Sequence, residues 1–456
     1  MSALLVQLEA IVGPRGILSG VDVASRSCDP FDHVPPASAA ILRPASTEEL
    51  SRIVALCHAA GQPLVMHGGR TGVAGGALAG ADELVISLER MARVIAVDPV
   101  GGTLTVEAGA TIAAVQAAAA EHGLLYPIDL GSKGSATVGG TISTNAGGNR
   151  VIRWGMTRHN VLGLEAVLAD GTVVSALNTF LKNNTGYDLK QMFIGSEGTL
   201  GIVAQAVLRL VPAPSSQNLA LVSLRSYDDV LALLGRARQM QHLSAFEVMW
   251  QDYYGFVSGH DPTRRPLAPD APFTVLIETM GQDEAADSKA FENCLAQAHE
   301  AGLILDAVMA SSGKQIADLW RVREGSEVLV RHMSPFLSFD ISVDIRRADD
   351  FVEATRAALK ERFGTCRMVS FGHLADSNIH IGVHIGPDTL TRATQIEACV
   401  YGLVARFGGA LTAEHGIGMT KRDFLPQHVT PTALATMRRL RDALDPDRLL
   451  NRSVLF

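Results

Sequence analysis

DLGSKGSATVGGTISTNAGGNR, residues 129–150, sets Gly131, Gly134, Gly139, Gly140, Gly147 and Gly148 among small hydroxyl residues and Asn145. Side chains this small leave the backbone open, so its N–H groups can come close to a phosphate and the chain can turn through φ > 0. Upstream, HGGRTGVAGGALAG (67–80) follows a predicted strand, PLVMH (63–67), and carries Gly68, Gly69, Gly72, Gly75, Gly76 and Gly80. That segment lacks the G-x-G-x-x-G spacing of a nicotinamide-binding Rossmann unit and the G-K-[ST] of a P-loop. Downstream, KNNTGYDLKQMFIGSEGTLGIV (182–203) places Gly195, Gly198 and Gly201 around Glu197. One glycine-rich loop reads equally well as plain surface; three in one block suggest an extended dinucleotide.

The rest of the chain narrows the function classes. Its 456 residues predict about three lobes at ~150 residues each. With 47% hydrophobic and 19% charged residues, burial can offset chain entropy, which excludes disorder. The 39 Lys and Arg against 47 Asp and Glu leave a net charge of -8, the wrong sign for gripping nucleic acid or anionic lipid. No apolar run reaches the ~20 residues of a spanning helix. The start, MSALLVQLEAIVG, has no basic leader and reads as an amphipathic helix, so a cytoplasmic location is expected. Cys28, Cys57, Cys294, Cys366 and Cys399 are scattered, with no C-x-x-C pair for zinc or iron–sulfur, and read as reduced structural thiols.

Ser46 and Glu49 form a capping box ahead of Leu50, Ile53, Val54 and Cys57 at helical spacing, with Gly61 as the stop. Short β-rich runs follow at 84–88, 94–98 and 103–108, then a helix from Thr111 to Gly123, and a strand in GIVAQAVLRLV (201–211) before the PAPSSQ boundary. The expected fold class is α+β: a block over 1–215, an α+β unit over 216–390, and a mostly helical C-terminal segment over 391–456.

FGHLADSNIHIGVHI (371–385) holds His373 and His380 seven residues apart, which on one unbroken strand would put them on opposite faces. The turn-forming residues at 375–378 predict a break, after which the rings can converge. GGALTAEHGIGMTKR (408–422) adds Glu414 and His415 beside Gly416 and Gly418. Two histidines and a carboxylate make a frequent divalent-metal set, although histidines beside a turn are also common as hydrogen-bonded surface residues.

Taken in order and spacing, the three glycine segments resemble the FAD-binding domain of vanillyl-alcohol-oxidase type flavoproteins (the PCMH-type fold of two subdomains). NNTGYDLKQ with IGSEGTLGI is similar, more narrowly, to the FAD-dependent D-2-hydroxyacid dehydrogenases of the D-2-hydroxyglutarate and D-lactate type, over nearly the whole chain. The resemblance implies noncovalent FAD, with Gly68, Gly69, Thr71, Gly72, Gly75, Gly131, Gly139, Gly140, Thr144, Asn145 and Gly147 around the pyrophosphate and isoalloxazine. It puts Glu197, Gly198 and Ile202 on the adenosine side and makes Asn451 a C-terminal contact. His67 precedes the glycine pair, whereas attachment histidines of relatives usually follow it, so it is not read as a covalent link.

By the same resemblance, His373, His380 and Glu414 hold a divalent metal, zinc first and manganese or cobalt as alternatives. His415 becomes the base, Asn378 orients a ligand histidine, and Arg323, of the two arginines in LWRVREGSE (319–327), takes the substrate carboxylate. The implied reaction is oxidation of a D-2-hydroxy acid, hydride going to the flavin and electrons to an external acceptor, either an electron-transfer flavoprotein or the quinone pool. A homodimer is open, and no nucleic-acid partner is expected. Gly382, Glu327 and Ser338 stand where the hydroxyglutarate branch usually has Asn, Thr and Lys. D-2-hydroxyglutarate therefore competes with a monocarboxylic substrate of the D-lactate or glycolate type. A metal-dependent hydrolase without flavin is the reading from another class.

Overall fold

The computed structural model describes residues 3–31 and 33–456. Contacts divide the chain into two units: Met1–Gly148, Trp154–Ala213 and Glu414–Phe456 form one, Asn149–Arg153 and Pro214–Ala413 the other.

In the first unit, the helix Thr47–Ala59 begins as its sequence dictates. Ser46 Oγ accepts from the Glu49 N–H at 3.2 Å, and the Glu49 carboxylate accepts from the Ala45 N–H at 2.8 Å. Leu50, Ile53, Val54 and Cys57 are all fully buried. Gly61, at φ 62, lets the chain turn into the strand Leu64–His67. That strand pairs in parallel with Leu84–Ser87, in a four-stranded sheet completed by Ala40–Leu42 and Ile17–Ser19. A second, five-stranded antiparallel sheet runs Val94–Asp98, Thr103–Glu107, Ile202–Arg209, Val161–Val167, Val173–Ala176. One apolar core, with Ile53, Leu104 and Ala206 among its members, serves both sheets. The C-terminal stretch returns to the first of them: the Leu64 N–H donates to the Leu449 carbonyl at 2.7 Å, and the Asn451 N–H to the Leu64 carbonyl at 2.9 Å.

Part of the glycine-rich stretch quoted at the outset is not a loop. Val138–Thr144 is a short helix whose N-terminus is capped by Thr137, with Oγ1 accepting from the Gly140 N–H at 3.3 Å, and which ends at Asn145 in the left-handed region, φ 49. Gly139 donates its N–H to the Ala108 carbonyl at 2.7 Å, and a Cβ there would sit 2.8 Å from the Ala108 methyl. Here glycine permits a helix to lie close on the sheet.

The second unit is built on seven antiparallel strands in the order Ile304–Met309, Ser216–Leu224, Phe273–Gly281, Leu243–Trp250, Arg367–His373, Asn378–His384, Leu337–Ser342. The break expected between the two histidines is a 3-10 turn over Leu374–Asp376, closed by Ser377 at φ 73. The helix Ala393–Arg406, which the sequence reading assigns to the C-terminal segment, belongs to this unit. It buries Ile396, Val400, Leu403 and Val404, next to the helix Ala348–Phe363, whose Phe351 ring meets Phe407 at 5.4 Å. The division near 390 therefore lies at 413–414. The short excursion Asn149–Arg153 also joins the second unit, where Arg150 Nε donates to the buried Glu278 carboxylate at 2.9 Å. Among the described residues, no helix is long and apolar enough to cross a membrane.

Because Ile53 is sealed in the first unit's core, Ile53→Ala should cost about 2–5 kcal/mol of unfolding free energy in denaturant titrations. A change within ~0.5 kcal/mol, the scale of a surface substitution, would contradict this packing.

Candidate active site

A cleft in the first unit is lined by Gly68, Gly69, Thr71, Gly72, Gly131, Gly139, Gly140, Thr144, Gly147, Glu197, Gly198, Ile202 and Asn451. Of the residues expected to meet FAD, Gly75 and Asn145 alone are not in its wall; Asn145 turns its carbonyl Oδ1 to accept from the Arg158 N–H at 2.9 Å. The backbone N–H groups of residues 69–72 donate to no acceptor among the described residues, which leaves a row of donors suited to phosphate oxygens. The row lies close against its neighbour: a Cβ on Gly69 would lie 2.0 Å from the Ser135 carbonyl oxygen, whereas one on Gly72 would meet nothing within 4 Å. The chain thus offers what a pyrophosphate needs.

His67 also borders the cleft but is a buried structural group. Its Nε2 lies 2.8 Å from the Ala77 carbonyl, and burial pushes its pKa down to about 4, so the ring stays neutral. Glu197 holds another part of the wall together. Its two carboxylate oxygens accept from the Ile417 and Gly418 N–H groups, both at 2.8 Å, and its own carbonyl accepts from Asn451 Nδ2 at 2.7 Å. Burial pushes the Glu197 carboxyl up, against the lowering pull of those N–H groups. Glu414 and His415 border the same cleft, and the Gly148 N–H donates to Glu414 Oε1 at 2.8 Å.

The second unit carries the histidine pair, assembled by cross-strand register. His373 lies opposite Glu247, and His380 lies between Phe371 on one side and Asp340 on the other. The two imidazole centroids are 5.3 Å apart, edge to face. His373 Nδ1 donates to Glu247 Oε1 at 2.8 Å; a carboxylate can only accept, so Nδ1 carries a proton. Among the described residues Asn378 hydrogen-bonds to no histidine: its Nδ2 donates to Asp340 Oδ1 at 2.8 Å, and that oxygen lies 3.8 Å from His380 Nδ1.

Arg323, the last residue of the helix Gly313–Arg323, is buried over the Phe371 ring at 4.6 Å and donates Nε to Glu247 Oε2 at 2.8 Å. Arg321 points outward and pairs loosely with Asp318 at 3.5 Å, as a solvated helix charge does. Glu247 and Asp340 are the residues that sequence reasoning missed. Burial would raise the Glu247 carboxyl, but the His373 and Arg323 charges and hydrogen bonds outweigh it and hold it below its ordinary range. His384 Nδ1 donates to the Pro335 carbonyl oxygen at 2.7 Å.

A family model for the C-terminal domain of FAD linked oxidases matches residues 213–455, and one for an FAD binding domain matches residues 38–177. A D-2-hydroxyglutarate dehydrogenase of Xanthomonas citri pv. viticola is 40% identical over 431 residues, covering 92% of this chain and 90% of that protein. The chain belongs to the FAD-dependent D-2-hydroxyacid dehydrogenase family. The mitochondrial D-2-hydroxyglutarate dehydrogenase of Bos taurus is 36% identical over 449 residues, covering 98% of this chain and 82% of that protein. Among solved structures, p-cresol methylhydroxylase with substrate bound superposes with a TM-score of 0.78 at 15% identity, over 99% of this chain and 96% of the other. That likeness speaks for the fold alone, the PCMH-type arrangement. As a member of this family the chain is an FAD-dependent dehydrogenase acting on D-2-hydroxy acids, and the hydrolase reading loses its basis.

Two glycines give a paired test of the cleft. Gly69→Ala should purify with less than about a tenth of the flavin of the parent, read from visible absorbance, while Gly235→Ala, which is not in the cleft wall and whose Cβ would meet nothing within 4 Å, should keep it. Equal flavin content in both variants would contradict the fit.

Proposed function

We propose that this dehydrogenase oxidises its D-2-hydroxy acid with the help of a divalent metal held by His373, His380 and Glu414, zinc before manganese or cobalt. It then hands the electrons to an external acceptor, an electron-transfer flavoprotein or the quinone pool. The observation that carries this reading is the orientation of His373: with Nδ1–H engaged by Glu247, Nε2 is the ring nitrogen that would bind a metal, and the second imidazole is 5.3 Å away between centroids. When bound, FAD supplies the hydride acceptor and the metal supplies Lewis acidity for the substrate hydroxyl.

The chain's own groups do the rest. Arg323 holds the substrate carboxylate through its planar fork, which fixes the α-carbon. His415 accepts the hydroxyl proton on an imidazole nitrogen. Asn378 keeps Asp340 in place, and Asp340 in turn limits how the His380 ring can turn.

The substrate's far end is where the D-lactate or glycolate alternative finds support. Gly382 and Ser338 are cross-strand partners, and neither offers a charge to a second carboxylate. A Cβ on Gly382 would meet the apolar side chains of Val369, Met333 and Phe336. Glu327 is less of an obstacle than its charge suggests, because Arg264 Nη2 donates to its carboxylate.

His373→Ala and His380→Ala should each purify without metal, by elemental analysis, while retaining flavin absorbance. His415→Ala should retain both, yet reduce its flavin roughly 10²–10⁴-fold more slowly with a D-2-hydroxy acid in anaerobic stopped flow, the range for loss of a general base. Metal bound at full occupancy in either alanine variant of the pair would refute the ligand assignment, and an unchanged reduction rate would remove His415 as the base.

A further inference from the structure

We propose that Glu247 is the positioning residue for both poles of the hydroxy-acid site. One of its carboxylate oxygens holds His373 in the tautomer that binds metal, and the other aims Arg323 at the substrate carboxylate. The inference rests on the metal and substrate roles proposed above for His373 and Arg323.

Glu247 sits on the strand Leu243–Trp250 with its side chain 1% exposed. Burying a lone carboxylate is strongly unfavourable, so its presence in a sheet interior requires partners. It has two, one for each oxygen: His373 Nδ1 at 2.8 Å on Oε1 and Arg323 Nε at 2.8 Å on Oε2. A carboxylate serving only as counter-ion to Arg323 would need no histidine, and one serving only to orient a histidine would need no arginine.

The consequence lies in what the two partners then present. Arg323 Nη2 is brought to 3.5 Å from His373 Nε2, too long for a strong hydrogen bond, so the guanidinium stands directly beside the imidazole. The guanidinium is further restrained by the Phe371 ring, over which it lies. Its Nη1 donates to no acceptor among the described residues, although the side chain is only 7% exposed. A buried guanidinium with an unused edge, beside the histidine proposed to hold the metal, is arranged for an oxyanion. Glu247 thereby fixes the two groups relative to each other.

The test uses the full-length flavin-loaded protein and the isosteric change Glu247→Gln. An amide has one acceptor oxygen and turns N–H groups toward the other donor, so His373 and Arg323 can no longer both be held. Metal affinity, read by elemental analysis after dialysis against graded chelator, should weaken roughly 10–100-fold. At saturating metal, KM for a D-2-hydroxy acid should rise by roughly an order of magnitude with a smaller change in kcat, the mark of lost ground-state binding. Flavin content and far-UV circular dichroism should match the parent. Should Glu247→Gln fail to fold, Glu247→Asp keeps the charge but is one methylene too short to reach both donors, and should move both readouts the same way. A folded variant with parental metal affinity, or with parental KM, would overturn the proposal, since both oxygens are claimed. His373→Ala measured alongside separates the two levels: if it too keeps its metal, the ligand assignment has failed. If it loses metal where Glu247→Gln does not, only the role of Glu247 has failed.

Discussion

Antiparallel register in the second unit is the constraint on which the site depends. Glu247 opposite His373, and Phe371 and Asp340 flanking His380, come from four strands, Leu243–Trp250, Arg367–His373, Asn378–His384 and Leu337–Ser342. Side chains on a strand alternate between faces, so a slip of one residue in any of these pairings would turn a functional group to the opposite side of the sheet. The register is in turn held by apolar packing on that face, where Met249, Tyr253, Met333 and Val369 are buried in one cluster. The two buried carboxylates on this face are each paired: Glu247 with His373 and Arg323, and Asp340 with Asn378, Thr412 Oγ1 and the Ala413 N–H.

The first unit meets a different demand, that of exposing backbone rather than side chains. Glycine serves it in two ways. At residues 69–72 it leaves N–H groups unclaimed, and at Gly139 it lets a short helix press against Ala108. The wall is then closed by residues in unusual conformations. Glu197 at φ 53 and Asn451 at φ 40 are held by hydrogen bonds from distant segments: Glu197 by Ile417 and Gly418, and Asn451 by its bonds to Met66 and Glu197. A left-handed backbone at a non-glycine residue costs about 1–3 kcal/mol and persists where its surroundings over-determine it, as they do here.

What was legible in the sequence was local. The Ser46 cap, the apolar face of the helix after it, and the turn between His373 and His380 follow from spacing within a few residues, and the structure contains each of them. The glycine segments were legible as backbone-exposing, but whether one of them coils into a helix depends on the Ala108 it packs against, which no local pattern reveals. Glu247 was invisible for the same reason: it lies 126 positions from His373, and a single Glu in an apolar strand, LSAFEVMW, carries no motif. The helix Ala393–Arg406 was read as tail because helical periodicity marks a buried face without saying which unit buries it. Family resemblance supplied Arg323 and Asn378, and the structure adds that Asn378 acts on Asp340.

The central claim is that the imidazole pair set by this register takes part in hydroxy-acid oxidation through a bound metal. Anaerobic reduction of the protein's flavin by D- and L-2-hydroxy acids, before and after chelation, addresses it directly. The account predicts bleaching by a D-2-hydroxy acid and not its L-enantiomer, loss of that bleaching in chelated protein that still holds its flavin, and recovery when the metal is returned. Bleaching at an undiminished rate in metal-free protein would contradict it.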